Sequence, residues 1–306
     1  MFVMLENVNL QNNGGPNSFA KKLVHEFEVL GVDYGPRDGD VSLCFIESHR
    51  KDLKSKPLVQ RLDGIYFNLE QPYERQNANI KRTYDAADGV IFQSEFSKKL
   101  VTTWFGDHDN SHVIHNGANL DLINKVSVGW EASILDKCQD IWCCAASWRP
   151  HKRLKENIRY FQEHSSPTDI LFIAGDLQGQ KIPKDDKIKY LGVLNQESLI
   201  KLYKTCTKFI HLAWLDNCPN VVVDARACGC EIICSNSGGT PEVAGPSATV
   251  IDMKPWDYKP SKLYDPPSLD FSKKFKNSHN IEYDMHSIAK QYLNVLGEFC
   301  EKFKKI

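Results

Sequence analysis

The sequence predicts an α/β protein with parallel sheets, divided between two domains. Strand-like and helix-like segments alternate along most of the chain, which is the pattern of parallel βα units. The chain has 306 residues, more than one core usually holds, so two domains of roughly 120–170 residues are expected. Its 42% hydrophobic and 25% charged residues are typical of a globular soluble protein.

The first domain is predicted over residues 1–120. Its strands are expected at Phe2–Leu5, Val41–Ile46, Leu58–Leu62, Gly89–Phe92 and His112–Ile114. Apolar side chains at helical spacing predict a first helix that ends at Gly31, and they are Phe19, Leu23, Phe27 and Leu30. Two further helices are expected at Asn77–Ala87 and at Ser94–Trp104, the latter with Ser94 as its cap. This sheet is small for a doubly wound domain, so the first domain is expected to be reduced.

The second domain is predicted over residues 121–280, after a crossing near Asn116–Ala118. Its strands are expected at Ile141–Ala145, Ile170–Ala174, Ile188–Leu191, Phe209–Leu212, Glu231–Cys234 and Thr249–Ile251. Its helices are expected near Lys152–Glu163, Gln196–Thr205 and Pro219–Cys228. Residues 254–280 lack periodicity, which predicts a long surface loop. Residues 281–306 are expected to form a final helix, over Glu282–Phe303, that crosses back to the first domain.

Charge and cysteine usage limit the partners and the compartment. A net charge of −1 gives no field that would hold nucleic acid. The basic ending Lys302–Lys305 has two interpretations, peripheral contact with membrane headgroups or a solvated helix end, and the second is favoured. The ten cysteines form no paired C-x-x-C motifs, which indicates buried thiols in a reducing compartment. With no leader and no run of 18 apolar residues, the protein is expected to be cytoplasmic.

Two aspartates stand eight positions apart in the segment from His211 to Glu242. Asp216 precedes a predicted helix, and Asp224 lies about two turns along that helix. Carboxylates in these places reach two parts of one polar ligand, which suits a nucleotide-activated sugar with two sets of hydroxyl groups. Either aspartate alone would be interpreted as a solvated acid on a surface helix.

Glycines and cations follow other predicted strands. Gly14 and Gly15 lie between the first strand and the first helix, where backbone amides approach an anion closely, although tight turns use Gly-Gly as often. Arg149 and Lys152 follow the strand Ile141–Ala145, and together they suit a diphosphate. A basic helix start is the alternative, but cations there oppose the helix dipole, so the functional interpretation is favoured.

Two other polar patterns are weaker. Gly238 to Glu242 gives a glycine turn, a Thr cap and a Pro at the first helical position, with several backbone amides at a strand end. Asp38-Gly39-Asp40 and Asp107-His108-Asp109 resemble metal-binding D-x-D motifs, but both lie in polar loops without a strand before them, and they are interpreted as turns. No metal site is predicted.

Seven stretches, taken together, resemble the retaining glycosyltransferases of family 4, the glycosyl transferases group 1 family. They span most of residues 12–245, and they are GGPNSFAKKL, DGVIFQSEFSKKL, VIHNGANLDLI, SWRPHKRLKENI, LFIAGD, IKYLGVLNQESLIKLY and HLAWLDNCPNVVVDARACGCEIICSNSGGTPEV. The resemblance implies the GT-B fold, with two Rossmann-like domains whose parallel sheets face a central cleft. It also implies a retaining hexosyltransferase that needs no metal or other cofactor and uses a UDP- or GDP-sugar donor with a glycan or glycolipid acceptor.

The resemblance also implies roles for single residues. Arg149 and Lys152 match the basic pair that holds the donor diphosphate, and Asp216 matches the first acid of the family's E-x7-E motif, which contacts the transferred sugar. Asp224 matches the second acid, which binds the ribose. The remaining donor-binding matches are Gly14 and Gly15 for the phosphates, Val193 and Leu194 for the nucleobase, and Asn217, Cys218, Pro219, Asn220 and Val221 for the sugar and phosphate.

The sequence departs from the family pattern in three places. Both acids are Asp where the family has Glu, and the spacing from Arg149 to Lys152 is tighter than usual. Arg61-Leu62-Asp63-Gly64 stands where many members carry a histidine beside the acceptor, so Asp63 is assigned to acceptor orientation, with an ordinary turn aspartate as an equal alternative.

Other functions stay open at this point. The same scaffold suits a non-catalytic nucleotide-sugar or glycan binder, and a nucleotide-sugar epimerase of similar fold is also compatible. A nicotinamide-dependent enzyme is disfavoured because no G-x-G-x-x-G turn follows the first strand. A glycan phosphorylase usually has a much longer chain and a lysine that binds pyridoxal.

Overall fold

A computed structural model describes residues 1–12, 14–128 and 138–304 of the chain. The chain forms two compact units. The first contains Met1–Ala118, Tyr258–Ser261 and Glu282–Ile306, and the second contains Asn119–Asp257 and Lys262–Ile281. Each unit has its own sheet, and the described strands are parallel apart from one edge strand, so the predicted α/β class is confirmed.

The sheet of the first unit has six parallel strands in the order β2-β1-β3-β4-β5-β6. Their bounds are β1 Phe2–Glu6, β2 Asp33–Gly35, β3 Val41–Phe45, β4 Leu58–Leu62, β5 Gly89–Phe92 and β6 Ser111–Val113. Strands β3, β4 and β5 are buried along their whole length, as expected for strands with covered faces. The predicted strand positions are right to within one residue, but β2 was missed because it has only three residues, at the edge of the sheet.

Three helices of the first unit follow its strands in sequence. They are α1 Gly15–Val29, α2 Tyr73–Ala86 and α3 Glu95–Phe105. The Ser94 side chain caps α3 by accepting a hydrogen bond from the Ser97 N–H, as predicted. Helix α2 begins four residues earlier than predicted, because its first turn is polar and carries no apolar periodicity.

The final helix, Met285–Phe303, belongs to the first unit. It packs against α1 and contributes Tyr292, Leu296 and Phe299 to the same hydrophobic core as Phe19. Gly89 at the start of β5 lies directly against the ring of Phe299, where a Cβ atom would overlap that ring. A side chain at position 89 would therefore displace the helix from the sheet.

The sheet of the second unit has seven strands in the order β13-β12-β11-β10-β7-β8-β9. Their bounds are β7 Ile141–Ala145, β8 Ile170–Ala174, β9 Ile188–Gly192, β10 Lys208–His211, β11 Glu231–Ser235, β12 Thr249–Ile251 and β13 Lys274–Lys276. The first sheet is thus smaller than the second by one described strand. The edge strand β13 is antiparallel to β12 and lies inside the predicted long loop 254–280. It was missed because its three side chains are exposed, so burial leaves no pattern in its sequence.

The described helices of the second unit connect these strands. They are α4 Leu120–Lys125, α5 Leu154–His164, α6 Gln196–Thr205, α7 Asn220–Ala227 and α8 Thr240–Ala244, so that the final helix is α9. The prediction of a helix from Lys152 was wrong at its start. A 3₁₀ turn covers Pro150–Lys152, and Arg153 then takes a left-handed conformation, with φ 55°, before α5 begins. Helix α4 was not predicted.

Candidate functional site

A polar site lies at the carboxyl ends of β7 and β10, which are parallel neighbours. His211 is the last residue of β10, Asp216 lies in the loop after it, and Lys152 lies in the loop after β7. Adjacent parallel strands end at the same edge of a sheet, and this is where α/β proteins bind ligands. The site is therefore built from two loops that the sheet brings together.

The Asp216 carboxylate is the centre of this site. Its Oδ2 atom forms an ion pair with the Lys152 ammonium and lies 3.0 Å from Nε2 of His211. The three side chains lie deep in the site, with exposed fractions of 16% for Asp216, 20% for Lys152 and 3% for His211. Lys152 and His211 thus both contact the same oxygen of the largely buried Asp216 carboxylate.

The surroundings fix the charge states of Asp216 and His211. Burial by itself would raise the pKa of the Asp216 carboxyl, but the Lys152 ammonium and the hydrogen bond from His211 outweigh it, so that its pKa lies well below the usual range. Burial lowers the pKa of His211, although Asp216 acts in the opposite direction. The pair is therefore an ionised carboxylate beside a neutral imidazole.

Hydrogen bonds hold the Asp216 loop against the loop after β11. The Leu215 N–H donates to Oγ of Ser237 at 2.9 Å, and the Gly239 N–H donates to the Asp216 carbonyl at 2.8 Å. Gly238 has φ 69° and packs against the Asp216 backbone, with no room for a side chain. Leu215 itself is left-handed, with φ 56°, a conformation that costs energy for a residue with a Cβ atom. Strained backbone of this kind is concentrated at functional sites.

The Lys152 turn is joined to the end of β10 by Asn157, which is fully buried in α5. Its Nδ2 donates to the carbonyls of Lys152 at 3.1 Å and Arg153 at 2.7 Å, and its Oδ1 accepts from the Leu212 N–H at 3.3 Å. The Trp214 N–H also donates to the His151 carbonyl at 2.8 Å. The two loops that carry Lys152 and Asp216 are consequently fixed to each other.

Several buried polar atoms lie in or beside these loops without a hydrogen-bond partner among the described residues, and among them are three that belong to neutral side chains. They are Nδ1 of His151, Oδ1 of Asn217 and Oγ1 of Thr240. Burial, and next the charge of Lys152, lowers the pKa of His151 to about 3, so this ring is neutral as well. Buried polar atoms normally have partners, so these atoms are available to hydrogen-bond a polar ligand.

The other predicted donor residues of this unit lie around the same loops. Asn217, Asn220 and Val221 are half-buried, and Cys218 and Pro219 are buried. Asp224 is half-buried on α7. Arg149 is exposed, and its guanidinium forms no ion pair with a carboxylate in the part of the chain that the structure describes. Of the predicted catalytic residues, the structure therefore joins Lys152 to Asp216 and leaves Arg149 open to solvent.

Two predicted groups lie elsewhere in the fold. Val193, with an exposed fraction of 73%, and the half-buried Leu194 follow β9, two strands from β7 in the sheet. Gly14, with φ 136°, and Gly15 are exposed at the start of α1 in the first unit. The nucleobase and phosphate contacts of these residues remain predictions.

Asp63 lies at the carboxyl end of β4 in the first unit, paired with Arg61. Arg61 is fully buried, and its remaining donors reach Tyr292 Oη at 3.0 Å, Asn116 Oδ1 at 2.8 Å and Gln93 Oε1 at 3.4 Å. The guanidinium carbon lies 4.1 Å from the centre of the Phe19 ring. The acceptor role of Asp63 remains a prediction, but its carboxylate is anchored at a strand end.

The D-x-D segments fall outside these two strand ends. Asp38 pairs with Lys56, and Asp40 accepts a hydrogen bond from the Phe2 N–H at 2.7 Å. Asp107–Asp109 line a cavity of about 510 Å³ in the first unit, near the amino ends of β5 and β6. No group of three His, Cys, Asp or Glu side chains that would hold a metal ion occurs within residues 1–12, 14–128 and 138–304. No helix in those ranges has the length and apolar character needed to cross a membrane.

Comparison with known proteins identifies the part of the chain that carries the site. Residues 132–257 match the family Glycosyl transferases group 1. The second unit carries a glycosyl transferases group 1 domain. This domain contains Lys152, His211 and Asp216, and the loops that hold them together.

Individual proteins that are similar to this chain are consistent with the family match. The O-antigen chain mannosyltransferase B of Escherichia coli is 32% identical over 198 residues, which cover 57% of this chain and 50% of that protein. The match thus extends over about half the length of this curated relative. Anabaena HepE in complex with UDP-glucose has a TM-score of 0.60 at 12% identity, with 100% of each chain covered. AviGT4, a glycosyltransferase of avilamycin A biosynthesis, has a TM-score of 0.62 at 12% identity, with 98% of each chain covered. These structural similarities show that the chain has the fold of GT-B glycosyltransferases.

Sequence reasoning gave no role to His211, His151 or Asn157. His211 begins the segment that contains the two aspartates. Its position as a polar residue at the end of a buried strand could have indicated a role in the site. His151 and Asn157 gave no such signal, because the 3₁₀ turn that orients them was not predicted.

Proposed function

We propose that this chain is a hexosyltransferase that moves a sugar from a nucleotide-sugar donor to a hydroxyl group of a glycan or glycolipid. The transfer retains the anomeric configuration and needs no metal ion. The observation that carries the proposal is the Lys152–Asp216 ion pair at the carboxyl ends of β7 and β10, within the matched domain. The free state of the ten cysteines supports a reducing compartment, so we place the protein in the cytoplasm.

Lys152 is assigned to the departing nucleoside diphosphate. Its side chain is one-fifth exposed, so it can contact a ligand while Asp216 holds the ammonium from the protein side. A fixed cation stabilises the charge that develops on a leaving group, and it needs no reorganisation during the reaction. The exposed Arg149 supplies a second, forked donor from the same loop. Two side-chain cations replace the divalent ion that other transferases use for this purpose.

The remaining residues are assigned to the donor and the acceptor. Asp216 and the backbone of Asn217–Val221 contact the transferred sugar. The Oδ1 atom of Asn217 supports this assignment, because it is buried and has no hydrogen-bond partner among the described residues. Asp224 binds the ribose, Val193 and Leu194 lie against the nucleobase, and Gly14 and Gly15 approach the phosphates. Asp63, anchored by Arg61, orients the acceptor hydroxyl.

A screen of UDP-, GDP- and ADP-sugars by thermal shift, followed by release of the nucleoside diphosphate, tests the proposal. At least one donor should raise the melting temperature and be consumed, because a ligand that binds the folded state stabilises it. Turnover should persist in a chelator. Binding without turnover would instead show a non-catalytic nucleotide-sugar binder, and no binding by any donor would overturn the proposal.

Variants of the two cations test the diphosphate contact. Lys152→Ala should lose roughly 2–4 kcal/mol of barrier lowering, about 30-fold to 1,000-fold in kcat, on the scale of one oxyanion donor. Arg149→Ala should lose about 1.5–3 kcal/mol, the range of a hydrogen bond to a charged group. Lys155→Ala is the matched control, because Lys155 is an exposed lysine on α5. Near-normal turnover by the Arg149→Ala, Lys152→Ala double variant would refute the contact.

A further inference from the structure

His211 lies at the end of β10 and contacts the central carboxylate, but the proposed transfer gives it no part. We propose that His211 is a positioning residue: as a neutral imidazole it donates its Nε2–H to Asp216 and fixes the orientation in which that carboxylate holds Lys152. The proposal rests on the proposed function of the site, and it adds a residue that never touches the substrate.

The direction of the hydrogen bond follows from the two charge states. Lys152 and His211 keep the pKa of Asp216 far below its usual range, so the carboxylate has no proton to donate. The ring must therefore supply the hydrogen. Burial lowers the pKa of His211, so a neutral ring carries its one N–H on the nitrogen that lies 3.0 Å from Asp216.

The geometry separates the two oxygens of Asp216. Both Lys152 and His211 contact Oδ2, and Oδ1 accepts no hydrogen bond from any side chain that the structure describes. A short aspartate side chain with one donor would rotate about its last bond, because that torsion is broad. A second donor from a buried, rigid ring removes this freedom. Oδ1 then stays turned toward a ligand while Oδ2 retains the ammonium.

The position of His211 makes it a rigid support. It is 3% exposed, it belongs to a strand that pairs with a neighbour on each side, and its ring lies parallel to that of Phe209, with 6.4 Å between their centres. The loop after it is fixed by the Leu215 and Gly239 hydrogen bonds. Asp216 is therefore held at its backbone by the loop and at its carboxylate by His211.

The test uses His211→Leu, which removes the donor, and His211→Gln, whose amide N–H replaces it at a similar reach. With the donor sugar found in the screen, His211→Leu should lower kcat about tenfold to a hundredfold, the range of a hydrogen bond to a charged group. Its KM should change by less than about threefold, because the lost interaction acts on the reacting arrangement and not on uniform binding. His211→Gln should recover most of kcat. Equal losses in both variants would show a packing role and overturn the proposal.

A double-mutant cycle separates positioning from general damage. If His211 acts through Asp216, then His211→Leu in an Asp216→Asn background should lower kcat by less than about threefold further. Independent, multiplying effects would contradict the proposal. Denaturant unfolding of each variant identifies any that does not fold. If His211→Leu does not fold, His211→Gln replaces it in the comparison.

Nitrogen-15 NMR of the His211 ring in the wild-type protein gives a readout without catalysis. A neutral ring with its proton on Nε2 at pH 7 is expected, and a proton on Nδ1 or a charged ring would overturn the proposal. Wild-type protein that consumes no donor would overturn the proposed function. Active wild-type protein with an equally active His211→Leu variant would overturn only the role of His211.

Discussion

Each unit places an aspartate after a parallel strand and pairs it with a cation, but the two cations are held differently. In the first unit Arg61 is fully buried, and every side it presents meets a partner, with Asp63, Asn116 and Tyr292 among them. In the second unit Lys152 is one-fifth exposed and has Asp216 as its only ion-pair partner in the described ranges. A fully satisfied arginine fork is fixed in place, whereas a lysine ammonium has donors to spare for a ligand. Arg61 therefore has a structural role in holding Asp63, whereas Lys152 is able to contact a ligand.

The largest effect is expected when the Arg61 side chain is removed. Arg61→Leu leaves the Asp63 carboxylate and three polar partners without their donor, so the unfolding free energy should fall by about 3–5 kcal/mol. Denaturant unfolding of this variant and of Arg75→Leu, an exposed arginine on α2, measures it. If Arg61→Leu lowered the unfolding free energy as little as Arg75→Leu does, the Arg61–Asp63 pair would stabilise the fold no more than a surface ion pair.

Acid should destabilise the second unit, in part through His151. The unfolded chain takes up this proton near pH 6.5, whereas the folded chain takes it up only near pH 3, so stability falls as the pH drops through this window. Between pH 7 and pH 5 the loss from this ring should be about 2 kcal/mol.

His151→Gln should remove that part of the acid sensitivity, seen as a smaller difference between unfolding at pH 7 and pH 5. His49→Gln, at an exposed histidine of the first unit, is the control and should leave the difference unchanged. An undiminished acid sensitivity in His151→Gln would place the responsible group elsewhere.

Reciprocal exchange of the two cations should change the unfolding free energy unequally, and Lys152→Arg should have the smallest effect of all. Lys152→Arg keeps the charge beside Asp216 and should change the unfolding free energy by about 1 kcal/mol or less. Arg61→Lys loses the planar fork that reaches Tyr292 and Asn116, and it should cost about 2 kcal/mol, since each buried partner left unsatisfied costs about 1–3 kcal/mol. Thermal and denaturant unfolding measure both, and equal costs would remove the distinction between the two cations.

Much of the fold is accessible from the sequence because its strands are buried. Strands β5, β7 and β8 were predicted at their observed bounds, since continuous apolar runs between polar turns leave a strong pattern. The bounds of β4 and β12 were also predicted as observed, although both strands contain polar residues. The short edge strands β2 and β13 leave none, because each has only three residues and pairs with one neighbour, and the side chains of β13 are exposed.

The candidate site was less accessible than the fold. The sequence pointed to Lys152 and Asp216 separately, through their places after strands, but not to the ion pair that joins them, which depends on β7 and β10 being neighbours. In the sequence Arg61 is one of two adjacent polar residues in a predicted strand, and only the helix Met285–Phe303 supplies its Tyr292 partner, 231 residues away. Contacts at such separations leave no local pattern.

The final helix also sets the order in which the two units can mature during synthesis. Phe299 must reach Gly89 before the first core is complete, so that core stays open until residues 285–303 have left the ribosome. The second unit draws all its described strands from residues 141–276, and it can close its sheet earlier. The amino-terminal part of the first unit is therefore translated first, but its core is completed last.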